Sequence, residues 1–231
     1  MSHIHFVGGE KGGVGKSLLA RLLAQYCIDR SVPFVAFDTD RSHGALLRFY
    51  PQVSTGISID DQDGLDRIVE TAAAVPGQRV LVDLAAQTQA PLERWIDGSG
   101  VVDVAAELGL AMTLWVVMDA GRDSASLLGA LLDGVGSRLR LVLVKNEVRG
   151  EKFDLLDASG HLERAAALGA RTITLRKLPE PTMQKIDALS TSFWAAVNHP
   201  NRAFTGLGLL ERQRVKVWLE RVYAEIDRVG V

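Results

Sequence analysis

Residues 9 to 17 read Gly-Glu-Lys-Gly-Gly-Val-Gly-Lys-Ser, and they join an apolar run, Ile4 to Val7, to a helical pattern from Ser17 to Asp29. A strand, a glycine-rich loop and a helix in immediate succession leave few folds open. The loop must fold back at the strand's end, so that its amides and the helix N-terminus converge on one point that attracts anions. Lys16 is placed to span phosphate oxygens, and the Ser17 hydroxyl to meet Mg2+. A second lysine, Lys11, stands upstream. The general phosphate-loop pattern G-x-x-x-x-G-K-[ST] puts its first glycine on Glu10 and so fails by one residue. A dinucleotide loop needs G-x-G-x-x-G, but after Gly13 and Gly15 the third position is Leu18. Asp38 stands at a tolerable ribose-binding distance, yet the glycines do not fit. Phosphate binding is the reading that survives.

The rest of the chain repeats the strand and helix alternation. Ile4 to Val7, Phe34 to Phe37, Val80 to Val82, Leu114 to Val117, Leu139 to Val144 and Thr172 to Leu175 are short apolar runs, and helix-sized segments separate them. This predicts an α/β phosphate-loop NTPase fold: a mostly parallel, twisted sheet with helices on both faces and its site at the strands' C-terminal ends. With 231 residues and 47% hydrophobic content the chain can bury a full core, read as one domain over 1–231. The polar stretch Ser54 to Asp66 reads as a loop leading into a helix. An amphipathic helix is expected at about 207–229, with Val215, Trp218, Leu219, Val222, Tyr223, Ile226 and Val229 on one face. Its charges are mixed, so it reads as docked on the core and not as a membrane-surface helix.

Three carboxylates end apolar runs. Asp38 and Asp40 follow the second, in Phe37-Asp38-Thr39-Asp40, and Asp83 ends Val80-Leu81-Val82-Asp83. In a doubly wound sheet all three face the phosphate loop. Asp83 is assigned to the metal shell with Ser17, Asp38 to a position near the metal, reached through a coordinated water, and Asp40 to orienting the attacking water. The residues alone also permit Asp38 and Asp40 to exchange these roles. The nucleotide set comprises Lys11, Gly12, Gly13, Val14, Gly15, Lys16, Ser17 and Leu18.

Composition narrows the remaining classes. A net charge of -2 gives no global basic footprint, so a nucleic-acid contact needs a local patch. Arg138, Arg140, Lys145, Arg149 and Lys152 form one basic cluster, read as solvated charge ahead of nonspecific DNA binding. The lone Cys27 forms no intrachain disulfide and suits a reducing compartment. No apolar run approaches membrane-spanning length and no cleavable leader is evident, so a cytoplasmic protein without direct membrane insertion is expected. The five histidines, His43 included, show no ligand spacing. The four tryptophans, Trp95, Trp115, Trp194 and Trp218, read as packing residues.

With these residues assembled, the chain resembles the ParA/MinD family of deviant phosphate-loop ATPases, whose motif Lys-Gly-Gly-x-Gly-Lys-[Ser/Thr] is met by Lys11, Gly12, Gly13, Gly15, Lys16 and Ser17. The resemblance implies ATP and Mg2+ as cofactors and a homodimer in the ATP state. It implies that Lys11 reaches the partner's phosphates and that Asp40 supports hydrolysis. It also implies that Asn146, in Val144-Lys145-Asn146, and Pro179, in Leu178-Pro179, lie around adenine. Within the family the chain is most similar to TraL-type proteins of conjugal-transfer regions, through Asp38-Thr39-Asp40, Pro91-Leu92, Glu107-Leu108-Gly109 and Arg212-Gln213-Arg214-Val215-Lys216.

The departure from the family follows Asp83, where Leu84-Ala85-Ala86-Gln87-Thr88 replaces a proline-containing switch. Gln87 and Thr88 read as ordinary loop residues. The leading expectation is a slow ATPase, with catalytic residues Lys11, Lys16 and Asp40, stimulated by an unidentified protein partner and acting in positioning, partition or conjugal DNA transfer. The alternatives are a small-molecule kinase or ligase on the same scaffold, and a nucleotide-binding module with negligible hydrolysis.

Overall fold

The computed structural model describes residues 1–40, 44–134, 138–201 and 206–230. Seven parallel strands form one sheet in the order β3-β2-β4-β1-β5-β6-β7. They are β1 (His3–Gly8), β2 (Phe34–Asp38), β3 (Ser54–Gly56), β4 (Arg79–Asp83), β5 (Ala111–Met118), β6 (Arg140–Asn146) and β7 (Arg171–Leu175). Six of them lie on the apolar runs of the sequence. The exception is β3: three residues within the expected polar loop pair Ala36, Phe37 and Asp38 with Ser54, Thr55 and Gly56 at the sheet's edge. An edge strand buries one side only, so polar Ser and Thr suffice and no apolar run marks it.

Two layers of helices follow from the two-residue alternation of the strands. Val7, Leu81, Trp115, Val117, Val142 and Val144 face one core. That core is covered by α1 (Lys16–Asp29), α2 (Ala45–Phe49), α9 (Glu180–Ala188), α10 (Phe193–Asn198) and α11 (Leu209–Val229). Ile4, Phe6, Val80, Val82, Leu114 and Val116 face the other core. There the cover is α3 (Gln62–Ala74), α4 (Gln89–Gly98), α5 (Val101–Glu107), α6 (Arg122–Asp133), α7 (Asp154–Asp157) and α8 (His161–Ala167).

The terminal helix docks as its apolar stripe predicts, with Val215, Trp218, Leu219, Val222, Tyr223, Ile226 and Val229 all buried. Polar contacts tie it to the first helix. The Tyr26 hydroxyl donates to Asp227 at 2.6 Å, the Arg30 guanidinium donates to the same carboxylate at 2.8 Å, and the Tyr223 hydroxyl donates to Asp29 at 2.7 Å. No described helix is long and apolar enough to cross a membrane. Trp194 corrects the packing assignment: it is 51% exposed on α10, whereas Trp95, Trp115 and Trp218 are buried. Its neighbour Phe193 takes the inward position on this short helix. His3 and His5, two apart on β1, stack at 3.9 Å inside the protein. His43 lies outside the described residues.

Candidate functional site

The glycine loop turns at the end of β1, the central strand, where the chain order diverges to the two sides of the sheet. Gly9, Gly13 and Gly15 have φ of 139°, 70° and 100°, so the loop uses positive-φ backbone at three points. Gly15 is also hemmed in. A Cβ there would lie 2.1 Å from Nδ2 of Asn146, which donates to the Val14 carbonyl at 2.7 Å. Asn146, at the end of β6 and 1% exposed, therefore braces the phosphate loop as well as standing beside it. Lys16 is buried, and its ammonium closes the loop by donating to the Lys11 carbonyl at 2.9 Å. Burial pulls the Lys16 pKa below the ordinary lysine value, against the attraction of Asp83, Glu10 and Asp40.

The strand register sets the acids side by side. Asp83 is the cross-strand partner of Val7 on one side and of Asp38 on the other. Their environments differ sharply. Asp38 has both oxygens engaged by backbone: Oδ1 accepts from Asp40 N at 3.0 Å, and Oδ2 from Leu46 N at 2.9 Å and Leu47 N at 3.4 Å. It caps α2 and is wholly buried, and burial raises its pKa in spite of those bonds. Asp83 is 2% exposed, and among the described residues no donor, the nearby Ser17 hydroxyl included, meets its oxygens in hydrogen-bonding geometry. Burial first, then the Asp38 charge, pushes its carboxyl up to about 7, with the Ser17 hydroxyl and the Lys16 ammonium opposing. An orphaned buried carboxylate next to a phosphate loop fits a hard cation. Among the described residues no trio of His, Cys, Asp or Glu surrounds it. That suits Mg2+, which takes one or two protein oxygens and completes its shell with phosphate and water.

Lys11 folds back onto its own chain. Its ammonium lies 3.2 Å from Asp119, where it both pairs and hydrogen-bonds, and 3.4 Å from Asp123. Asp119 follows β5 and is buried. Burial would raise its pKa, but the Ser124 hydroxyl, the Gly121 amide and Lys11 hold it below the usual carboxylate range. The Arg149 guanidinium approaches it at 3.8 Å. Sequence reasoning passed over Asp119, although Val117-Met118-Asp119 carries the same signal as Val82-Asp83, an apolar run ending in an acid.

Glu10, the residue that departs from the general loop, accepts the Gln89 amide at 2.7 Å and so caps α4 from outside. The segment after Asp83 is thus held by the phosphate loop. Thr39 holds its other end: the Thr39 hydroxyl donates to the Asp83 carbonyl at 3.1 Å and accepts from Ala85 N at 2.8 Å. Gln87 sits at φ 61°, a left-handed position rarely taken by a side-chain-bearing residue, and Thr88 closes the turn onto the Ala85 carbonyl at 2.8 Å. A cavity of about 390 Å³ opens beside the loop, lined by Gly13, Leu18, Asn146, Leu178, Met183 and Asp187 among others. Pro179 is not on its wall. It caps α9 and faces the neighbouring depression along α11. The basic cluster read from sequence is largely consumed: Arg138 pairs with Asp97, Lys145 with Asp157 and Arg149 with Asp119.

No family model matches the chain. It is similar to Protein MobD of Acidithiobacillus ferrooxidans, 28% identical over 176 residues that span 74% of this chain and 76% of MobD. It is also similar to Protein TraL of Escherichia coli, 24% identical across the full length of both chains. In three dimensions it matches the septum site-determining protein MinD of Pyrococcus horikoshii OT3, solved complexed with Mg-ADP. The TM-score is 0.55 at 13% identity, over 99% of this chain and 97% of MinD. At that identity the likeness shows the fold, which is the phosphate-loop NTPase fold of MinD. The resemblance read from the loop and the carboxylates, to ParA/MinD proteins near TraL, agrees with these relatives and this fold.

Proposed function

We propose that this chain is a Mg2+-dependent ATPase that works as a nucleotide-switched homodimer in conjugal DNA transfer or partition. The observation that carries the reading is Asp83, a buried carboxylate whose oxygens accept no well-formed hydrogen bond among the described residues, set at the end of β4 beside Ser17 and Lys16. The similarity to Protein TraL, the type of protein that the loop and its carboxylates resemble, and the Mg-ADP held by MinD support the biological and chemical parts respectively.

The residues divide the work as follows. The loop amides from Gly12 to Ser17 and the Lys16 ammonium bind the phosphates, with Val14 and Leu18 completing the loop's contacts and Asn146 bracing it. Ser17 and Asp83 hold Mg2+, whose chemistry is to neutralise charge on the phosphate oxygens. Asp38 stands behind them as the cap that fixes α2, since both its oxygens are already engaged. Asp40, on the same turn, orients the attacking water. Lys11 leaves Asp119 and Asp123 to reach the phosphates of a second subunit. Pro179 sets the start of the base-side helix. A protein partner would stimulate turnover through the segment held by Glu10.

The test is molecular size with ATP and Mg2+, with ADP, and without nucleotide, for the wild type, Lys11→Ala, Lys16→Ala and Asp40→Ala. ATP-trapped dimers of Asp40→Ala but not of Lys16→Ala or Lys11→Ala are expected. If the wild type and Asp40→Ala both bind ATP yet stay monomeric, the dimer reading fails, and transfer of phosphate to a metabolite becomes the reaction to assay.

A further inference from the structure

Arg21 is a costly residue for its position. It lies on α1, 5% exposed, with its guanidinium 3.6 Å over the Phe49 ring and 4.8 Å from that of Phe193. Its Nε and Nη2 have no hydrogen-bond partner. A slot between two aromatic rings is filled as well by an apolar side chain, which carries no unsatisfied donors. Among the described residues the guanidinium's one hydrogen bond goes to Asp187, from Nη1 at 2.8 Å.

Asp187 belongs to the cavity beside the phosphate loop. Glu180, Met183, Gln184 and Asp187 all line it, a spacing that puts one face of α9 on its wall. Leu18, one turn before Arg21 on α1, lines the opposite side. A second arginine grips the same end of α9: Arg48 donates to the Asp187 carbonyl at 2.9 Å and to the Ser190 hydroxyl at 2.6 Å. The helix that begins at Lys16 is thereby joined, through an ion pair buried on the Arg21 side and half-exposed on the Asp187 side, to the helix that walls the cavity.

We propose that Arg21 is a positioning residue for the nucleotide base, fixing through Asp187 the distance between the phosphate loop and the base-side wall of α9. The inference rests on the reading of the loop as a nucleotide site. It predicts a division that a general loss of structure would not produce, because the phosphates are held by α1 and the loop, and the base by α9.

The experiment compares binding of ATP and of inorganic tripolyphosphate, each with Mg2+, in the wild type, Arg21→Met and Asp187→Asn. Methionine fills the aromatic slot, and asparagine keeps the shape and an acceptor. Arg21→Met is expected to bind ATP about tenfold more weakly while tripolyphosphate stays within about twofold of the wild type. Asp187→Asn is expected to lie between the two. Unchanged ATP affinity in Arg21→Met overturns the proposal, and so does equal weakening of both ligands. If Arg21→Met does not fold, unchanged ATP affinity in Asp187→Asn overturns it, and selective weakening of ATP there upholds it. A wild type that binds neither ligand takes down the nucleotide reading itself, which is a separate outcome.

Discussion

β1 ends in two opposite ways. At its C-terminal end the neighbouring Asp83 is buried with two unpartnered oxygens, and at its N-terminal end His5 is buried with an unpartnered ring nitrogen. The Trp115 indole, which can only donate, gives its hydrogen bond to His5 Nδ1 at 3.2 Å, so the His5 proton sits on the orphaned Nε2. His3 stacks on His5 and bonds the Thr113 hydroxyl at 2.8 Å. Burial lowers the pKa of His3 to about 4, with Arg79 and Arg140 adding to it, and lowers that of His5 well below 6.5. Both ends carry an electrostatic cost, but only one stands beside a glycine loop and an open cavity. A cost that a ligand can relieve belongs to a site, whereas one sealed under apolar cover is a property of the fold.

Asp83→Asn presses hardest on that contrast. The uncharged amide removes a buried charge, and the ligand-free protein is expected to gain roughly 2 kcal/mol, the scale of an unsatisfied buried group. Mg2+-dependent nucleotide affinity should fall at least about 100-fold, the loss expected when a metal ligand goes. Thermal unfolding and calorimetric titration read the two quantities, and a variant that loses stability and keeps affinity breaks the distinction.

His3→Gln tests the other end. Between pH 6.5 and about 4 the unfolded chain binds a proton at His3 that the folded protein does not, so stability falls as pH falls through that window and His3 adds no further loss below it. The variant should retain roughly 3 kcal/mol of what the wild type loses across the window. Urea unfolding at several pH values reads this, and parallel curves for the two proteins would contradict a buried neutral histidine.

The smallest expected effects come from the seam between the first and last helices. Tyr26→Phe and Tyr223→Phe each remove one hydroxyl from a carboxylate, at an expected cost of about 1–2 kcal/mol in urea unfolding, with phosphate binding unaltered.

The loop, the three acids and the central strands were legible because each is written locally: glycines where the backbone needs positive φ, apolar runs where both faces are buried. What escaped was written in pairs. Asp119 becomes part of the site only when Lys11, 108 residues away, folds onto it. Arg21 looks like one more charge on a helix until Asp187 arrives from 166 residues further on. The strand at Ser54–Gly56 borrows its conformation from Ala36 to Asp38 and carries no pattern of its own. The scattered basic residues, read as solvated charge, likewise take their partners from afar, since Arg138 and Lys145 meet acids from other segments.

The stitching of Leu209–Val229 onto the first helix also has a consequence for the order of synthesis. The phosphate loop leads directly into α1, and the carboxylate that receives both Tyr26 and Arg30 belongs to Asp227, 201 residues after Tyr26. A ribosome therefore delivers the loop about 200 residues before it delivers the brace of the loop's helix. Until then the inner side of α1 faces water where Val215, Trp218 and Ile226 will lie, and those contacts span nearly the whole sequence. The nascent chain holds its nucleotide loop long before it holds a finished nucleotide site.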